Sequence, residues 1–392
     1  MTASAFRIAV RAFPPFESAI RKQWERFESN ARTGLHLEAV PLDLHPLHEA
    51  IFGSSGAHWD VAFVVTDWMA EAAERNALVD LAPYLAAGPP EGYPGAWTPS
   101  LRRIQEFGGR VLGLPYHDGP ECLIYREDLF QEAGLAPPQT WEDFHCTARL
   151  LNRPAENRYG AVFAAYPDGH NTVYDFCLQL WSRGGELFDS RGLPHFTTQP
   201  AADALRFYRA ILRDRSAVHP RCAEFDSVKS GFAFANGEVA LMANWFGFAA
   251  MCETSPDSKV RGKVAVASVP GGVSLNVYWT LGIPTGSALR DIAWQFLRHC
   301  ASPEMDKLLT LEGGIGCRKS TWTDREVNRT VPFYREMERL HAGAREMPRL
   351  AQWPRIASAI DHMMLGAIGS DLPEEELLAQ AQQRSLAMRQ AQ

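Results

Sequence analysis

Between Gly109 and Trp141 the chain reads GRVLGLPYHDGPECLIYREDLFQEAGLAPPQTW, and few folds accommodate that succession. A strand-like run ends at Gly113, Leu114 and Pro115, a polar loop follows, and a second apolar run from Cys122 to Tyr125 leads into a charged helix. Gly134 predicts the end of that helix, Pro137 and Pro138 a turn, and Thr140 the cap of the next helix. Such a segment carries a chain from one lobe to another and leaves aromatic and polar groups at the crossing. Length agrees, because 392 residues exceed what one hydrophobic core normally organises, so two domains are expected.

Composition removes several function classes. The net charge of -7, with no basic stripe of interleaved aromatics, argues against a nucleic-acid surface. Seven cysteines stand scattered at 122, 146, 177, 222, 252, 300 and 317, an odd and unpatterned set that suits small buried side chains better than a disulfide framework. No apolar run is long enough to span a bilayer, so no membrane insertion is expected. The first residues run directly into a strand-like stretch without the pattern of a signal peptide.

Strand and helix signals alternate from Phe6 to Leu81, which predicts an α/β lobe around a central sheet. In this reading Phe13 to Phe16 is a rigid aromatic loop ahead of a helix from Ser18 to Ser29. Beyond the crossing, helices are predicted at Trp141–Leu151, Val173–Trp181, Ala201–Arg213 and Asp291–Cys300, and strands at Tyr159–Ala164, Val239–Ala243, Lys263–Ser268 and Tyr278–Ile283. A polar amphipathic helix from Pro373 to Met388 closes the chain.

Catalytic and metal signals are weak. His45 and His48, with His36 nearby, lack a further ligand of plausible spacing, and no metal or other cofactor is expected. Glu312 to Ser320 looks like a phosphate loop, yet Arg318 stands where glycine is needed before the lysine, and Thr321 to Asp324 reads as loop rather than helix. Aromatic side chains are more informative: Phe13, Phe16, Trp68, Tyr116, Trp181, Trp245, Tyr278, Trp279 and Trp353 all fall in or beside predicted loops or element ends. Each alone suits a core as well as a ligand wall, but together they fit a cleft at strand ends, where open α/β domains bind ligands. Rings of this kind cover the C–H face of a sugar, while Glu17, Asp67, Asp118, Glu121 and Asn244 would take its hydroxyls.

These matches converge on one resemblance. Val111 to Pro115, Leu123 to Tyr125, Asp128 to Phe130, Ala133 to Leu135 and Pro137 to Trp141 resemble the V-x-G-x-P crossing, strand, D-L-F helix and P-P-x-T-W turn of the extracellular solute-binding proteins of family 1, the sugar-binding components of bacterial ABC importers. Phe234 to Met242, Val269 to Gly272, Ala293 to Leu297, Ser302 to Glu304 and Gly314 to Ser320 continue the likeness. Arg126 replaces the commoner Asn. The resemblance implies a two-lobed periplasmic-binding-protein-like α/β clamshell, with residues 1–113 and 277–325 in one lobe and 114–276 and 326–392 in the other. It further implies a non-catalytic, monomeric protein that closes on a mono- or oligosaccharide and is recognised by the importer's transmembrane subunits. Trp245 takes the aromatic position that commonly lies at the sugar. A periplasmic location follows from the likeness, with the export signal absent from this sequence; a native chain without one would be cytoplasmic. A sugar acid stays open if Arg126 or Arg318 reaches the ligand, as does a polyol or polyamine. A glycosidase is the rival enzyme class, requiring two carboxyl groups about 5–9 Å apart across the scissile bond.

Overall fold

The computed structural model describes residues 5–53 and 58–390. The first four residues, where the reading of the N-terminus begins, lie outside the described residues. In chain order the strands are β1 (Ala5–Arg11), β2 (His36–Leu42), β3 (Val61–Val65), β4 (Glu106–Phe107), β5 (Arg110–Val111), β6 (Leu114–His117), β7 (Glu121–Arg126), β8 (Tyr159–Ala161), β9 (Val239–Trp245), β10 (Val264–Ala267), β11 (Ser274–Asn276), β12 (Trp279–Gly282) and β13 (Ala344–Glu346), the last paired with β11. They divide between two compact units. One comprises Met1–Gly119, Val277–Met337 and Glu346–Ala351; the other comprises Pro120–Asn276, Glu338–Arg345 and Gln352–Gln392.

The first unit is built on a five-stranded sheet in the order β2-β1-β3-β12-β6. β1 runs parallel to β2 and β3, whereas β12 is antiparallel to β3 and to β6. Every residue of β3 is buried, as a strand covered on both faces requires. The helix that the sequence places at Ser18 begins earlier, spanning Pro14–Ala31 and taking in most of the expected aromatic loop. Two prolines are no obstacle there, because the first amides of a helix have no intrahelical acceptor and proline already holds a helical φ. Its inner face sets Trp24 against Phe6, with ring centroids 4.6 Å apart, and against Phe296 at 5.4 Å.

The second unit has a four-stranded sheet in the order β10-β7-β9-β8, with β7 antiparallel to β9 and β10 and β8 parallel to β9. Helices Asn171–Ser182, Gln199–Arg213, Trp353–Gly369 and Glu374–Gln390 pack on one another. Burial runs unbroken from Asn171 to Trp181, so the first of these helices forms the centre of the unit.

Sequence patterning puts the crossing after Gly113, whereas the units part at Gly119. The reason is pairing: Leu114–His117 joins β12 in the first sheet, and only Glu121 onward joins β9 in the second. Residues 326–337 also stay with the first unit. Val327, Phe333 and Tyr334 are buried there, and the Tyr334 hydroxyl donates to the Gly314 carbonyl at 3.3 Å.

Candidate functional site

In the first unit the strand directions bring the C-terminal ends of β1, β3 and β6 and the start of β12 to one sheet edge, since Trp279 pairs with both Val65 and His117. That edge carries Phe13, Asp67, Trp68, Asp118 and Trp279, with Glu17 in the first turn of the adjoining helix. Trp279 and Glu17 are half-buried, and Phe13, Asp67, Trp68 and Asp118 are buried. The Trp68 ring meets Trp279 edge-on at 6.3 Å.

His117 closes the same edge and is a residue that sequence patterning overlooks. Its ring lies 4.6 Å from Phe16, and its Nδ1 accepts the Ile315 N–H at 2.9 Å, which leaves the hydrogen on Nε2. Burial pulls its pKa down to about 3, with the nearby Asp118 acting in the opposite sense, so the ring is a neutral donor at physiological pH.

In the second unit the antiparallel register sets Glu121, first residue of β7, opposite Trp245, last residue of β9. The Trp245 ring is half-buried and stands edge-on to Tyr174 at 5.4 Å. The Glu121 side chain is buried, and its Oε2 has no hydrogen-bond partner among the described residues. Burial, and then the charge of Asp175, raise its pKa well above the carboxylate range. Asp175 is itself pushed up to about 7 by burial, against a 2.8 Å hydrogen bond from the Tyr208 hydroxyl that favours its ionised form. β11 is tied to the start of β7 by the Ser274 hydroxyl, which donates to the Glu121 carbonyl. Two residues along β11, Asn276 is buried with both amide atoms unpartnered among the described residues, and so is the Trp181 indole N–H on the helix packed against β11. Native folds pair nearly all buried polar atoms, so this group of orphans points to recognition of something polar.

A model of the bacterial extracellular solute-binding proteins matches residues 14–307. The chain belongs to that family. Among curated relatives, the mannitol-binding protein of Pseudomonas aeruginosa is 25% identical over 312 residues, covering 73% of this chain and 71% of that one. Among solved structures, the maltose-bound MalE3 of T. maritima is 22% identical with a TM-score of 0.89 and covers 99% of each chain. An ABC transporter solute-binding protein of Agrobacterium radiobacter K84 in complex with ribitol is also 22% identical with a TM-score of 0.89, covering 98% of each. The fold is therefore the two-lobed α/β fold of the periplasmic-binding-protein class, and the protein is a solute-binding transport protein rather than an enzyme.

Several side chains expected at the ligand have other work in this solute-binding protein. Asn244 spends its amide internally: Nδ2 donates to the Ser227 carbonyl and the Ser230 hydroxyl, both at 3.1 Å, and Oδ1 accepts the Trp245 N–H at 2.8 Å. Arg318 is buried, lies 4.8 Å over the Trp97 ring and donates to the carbonyls of Ala301 and Glu91 at 2.8 and 2.9 Å. Arg126 closes in a fork on Asp128 at 2.7 and 2.6 Å. Tyr116 donates to Gln23 at 2.9 Å in the core, Tyr278 donates to the Leu101 carbonyl, and Phe16 packs on Phe63 at 5.2 Å. Trp353 is wholly buried as the first residue of its helix. Trp181 keeps its indole N–H for a partner while the Arg345 guanidinium covers its ring at 4.4 Å.

The segment that looks like a phosphate loop is held from within. The buried Asp306 carboxylate accepts the amides of Cys317 at 2.8 Å and Arg318 at 3.2 Å and the Thr321 hydroxyl at 2.5 Å. A Cβ at Gly316 would stand 2.3 Å from that carboxylate, which is why glycine is required there. Contrary to the sequence reading, a short helix does follow, at Lys319–Trp322. Gly316 thus makes room for a carboxylate of the protein. Among the described residues no group of three His, Cys, Asp or Glu side chains is placed to hold a metal ion.

Proposed function

We propose that this protein captures a small uncharged polyol or sugar outside the cytoplasmic membrane and, as a monomer, presents it to the transmembrane subunits of an ABC importer. One observation carries the reading: a buried acid and a half-buried tryptophan face each other across β7 and β9, in a unit that also holds the orphaned Asn276 amide and Trp181 indole. A ring of this kind covers the C–H face of a polyhydroxylated ligand, and the orphaned donors and acceptors take its hydroxyls.

Two features favour an uncharged ligand. The guanidinium groups of Arg126 and Arg318, the two cations that the sequence offers to a sugar acid, are engaged inside the fold. Burial raises the Glu121 pKa well above its usual value, which disfavours the fixed negative charge that a polyamine would need there. Mannitol, ribitol and maltose, the ligands named for the three similar proteins above, are likewise uncharged polyhydroxylated molecules. A thermal-shift screen of D-mannitol, ribitol, maltose, lactose, D-gluconate and putrescine tests the proposal. At one hundred times Kd a ligand stabilises the native state by about 2.7 kcal/mol, so a true ligand raises the midpoint by a few degrees. A shift with gluconate or putrescine and none with the neutral compounds would refute it.

A further inference from the structure

Glu121 and Asn276 lie on β7 and β11, two strands of the second unit that contact each other. Each is buried, each has side-chain atoms without a partner, and the Ser274 hydroxyl links their strands by donating to the Glu121 carbonyl. Asn244, the neighbouring buried amide, is satisfied at both ends, so the fold readily pairs an amide whose task is structural. Sequence patterning lists Glu121 as one acid among several and does not single out Asn276.

We propose that Glu121 and Asn276 form a specificity subsite in which Glu121 binds as an uncharged carboxylic acid, so that affinity for the ligand is linked to one proton on that side chain. The inference rests on the polyol or sugar reading above and adds to it the protonation state of the recognising group. A carboxylic acid offers one O–H donor and an acceptor oxygen, and an amide offers two N–H donors and an acceptor. Together they match neighbouring hydroxyls that each donate and accept. An ionised Glu121 would lose its donor and place a charge in a buried site.

The surroundings favour the acid form. Cys122 on the same strand and Cys177 on helix Asn171–Ser182 are neutral thiols, their pKa values pushed up by burial. Asp175 on that helix adds negative charge to Glu121 and is in turn affected by Asp168. The cations facing this region are Arg339 and Arg345, on the segment 338–345. Arg339 donates to the Ser268 hydroxyl at 3.0 Å, and Arg345 is engaged by Glu186 at 3.1 and 2.6 Å.

The test titrates whichever of D-mannitol, ribitol and maltose binds the wild type, from pH 5 to pH 10, against the wild type, Glu121→Gln and Asn276→Leu. Circular dichroism and urea midpoints confirm that each variant is folded. Wild-type affinity is expected to be constant at acid pH and then to fall about tenfold per pH unit once Glu121 ionises. Glutamine has the shape and the hydrogen-bonding capacity of the protonated acid. Glu121→Gln should therefore bind within about threefold of wild type at pH 5 and lose the alkaline fall, while Asn276→Leu should bind at least tenfold more weakly at every pH. Wild-type affinity that is flat or rises with pH, or an alkaline fall that persists in Glu121→Gln, would overturn the inference and leave the ligand class standing. Failure of all three compounds to bind the wild type would remove the ligand reading, and this inference with it.

Discussion

A tryptophan and an asparagine adjacent in one strand show how much a side chain's direction decides. Trp245 and Asn244 end β9, yet the asparagine amide turns into the protein and the indole remains half-buried. Trp245→Ala should weaken ligand binding by about 2 kcal/mol, roughly thirtyfold, with little change in the urea midpoint. Asn244→Ala should do the reverse, costing about 1–3 kcal/mol of stability by stranding buried partners while the mutant still binds once folded. Urea denaturation and calorimetric titration of the two variants separate these outcomes. His117 supplies a third check. The usual imidazole ionises near pH 6.5, but this ring, held down to about 3, should show no titration of its Nε2 or Cε1 NMR signals between pH 5 and pH 8. Residue identity was visible in the sequence, but direction was not. Tyr116 in β6 and Tyr278 just before β12 look as plausible in the sequence as Trp279, and it is the Gln23 and Leu101 acceptors that hold them inward.

At the scale of elements, the helix Asn171–Ser182 holds the unit together and also carries Asp175 in its buried stretch. An acid whose folded pKa is raised, here from 3.8 to about 7, destabilises the native state as pH rises between those values, because the unfolded chain releases its proton first. This contribution is fully favourable below pH 4, falls away up to about pH 7 and is flat beyond. It should amount to a few kcal/mol at most. Asp175→Asn should flatten that part of the stability profile, as read from urea midpoints at pH 4.5 and pH 7.5. An unchanged slope would contradict the assignment. Elements with strong periodicity were legible: the helices at Trp141–Leu151 and Arg290–Cys300 and the strand β9 agree with the pattern to within a few residues. Less legible were those set by long-range contacts. The four-residue helix at Lys319–Trp322 depends on Asp306 binding its approach, and no local signal in residues 319–322 announces that acceptor.

For the whole molecule, the stretch from Gly109 to Trp141 did mark a passage between units, but the turning point is Gly119 and Pro120 rather than Gly113. The difference comes from the pairing of β6 with β12, a contact between residues far apart in sequence that local propensity does not encode. Two α/β units, the family motifs and the absence of catalytic patterns were all readable from the chain. Which polar groups stay unpaired in the folded second unit was not, because that depends on every neighbour of Glu121, Asn276 and Trp181. Calorimetric titration of the purified full chain at pH 7 with D-mannitol, ribitol and maltose tests the central claim most directly. The account predicts saturable binding of at least one of them at one molecule per chain, weakened about thirtyfold by Trp245→Ala. Absence of heat with all three, or binding that Trp245→Ala leaves unchanged, would contradict it.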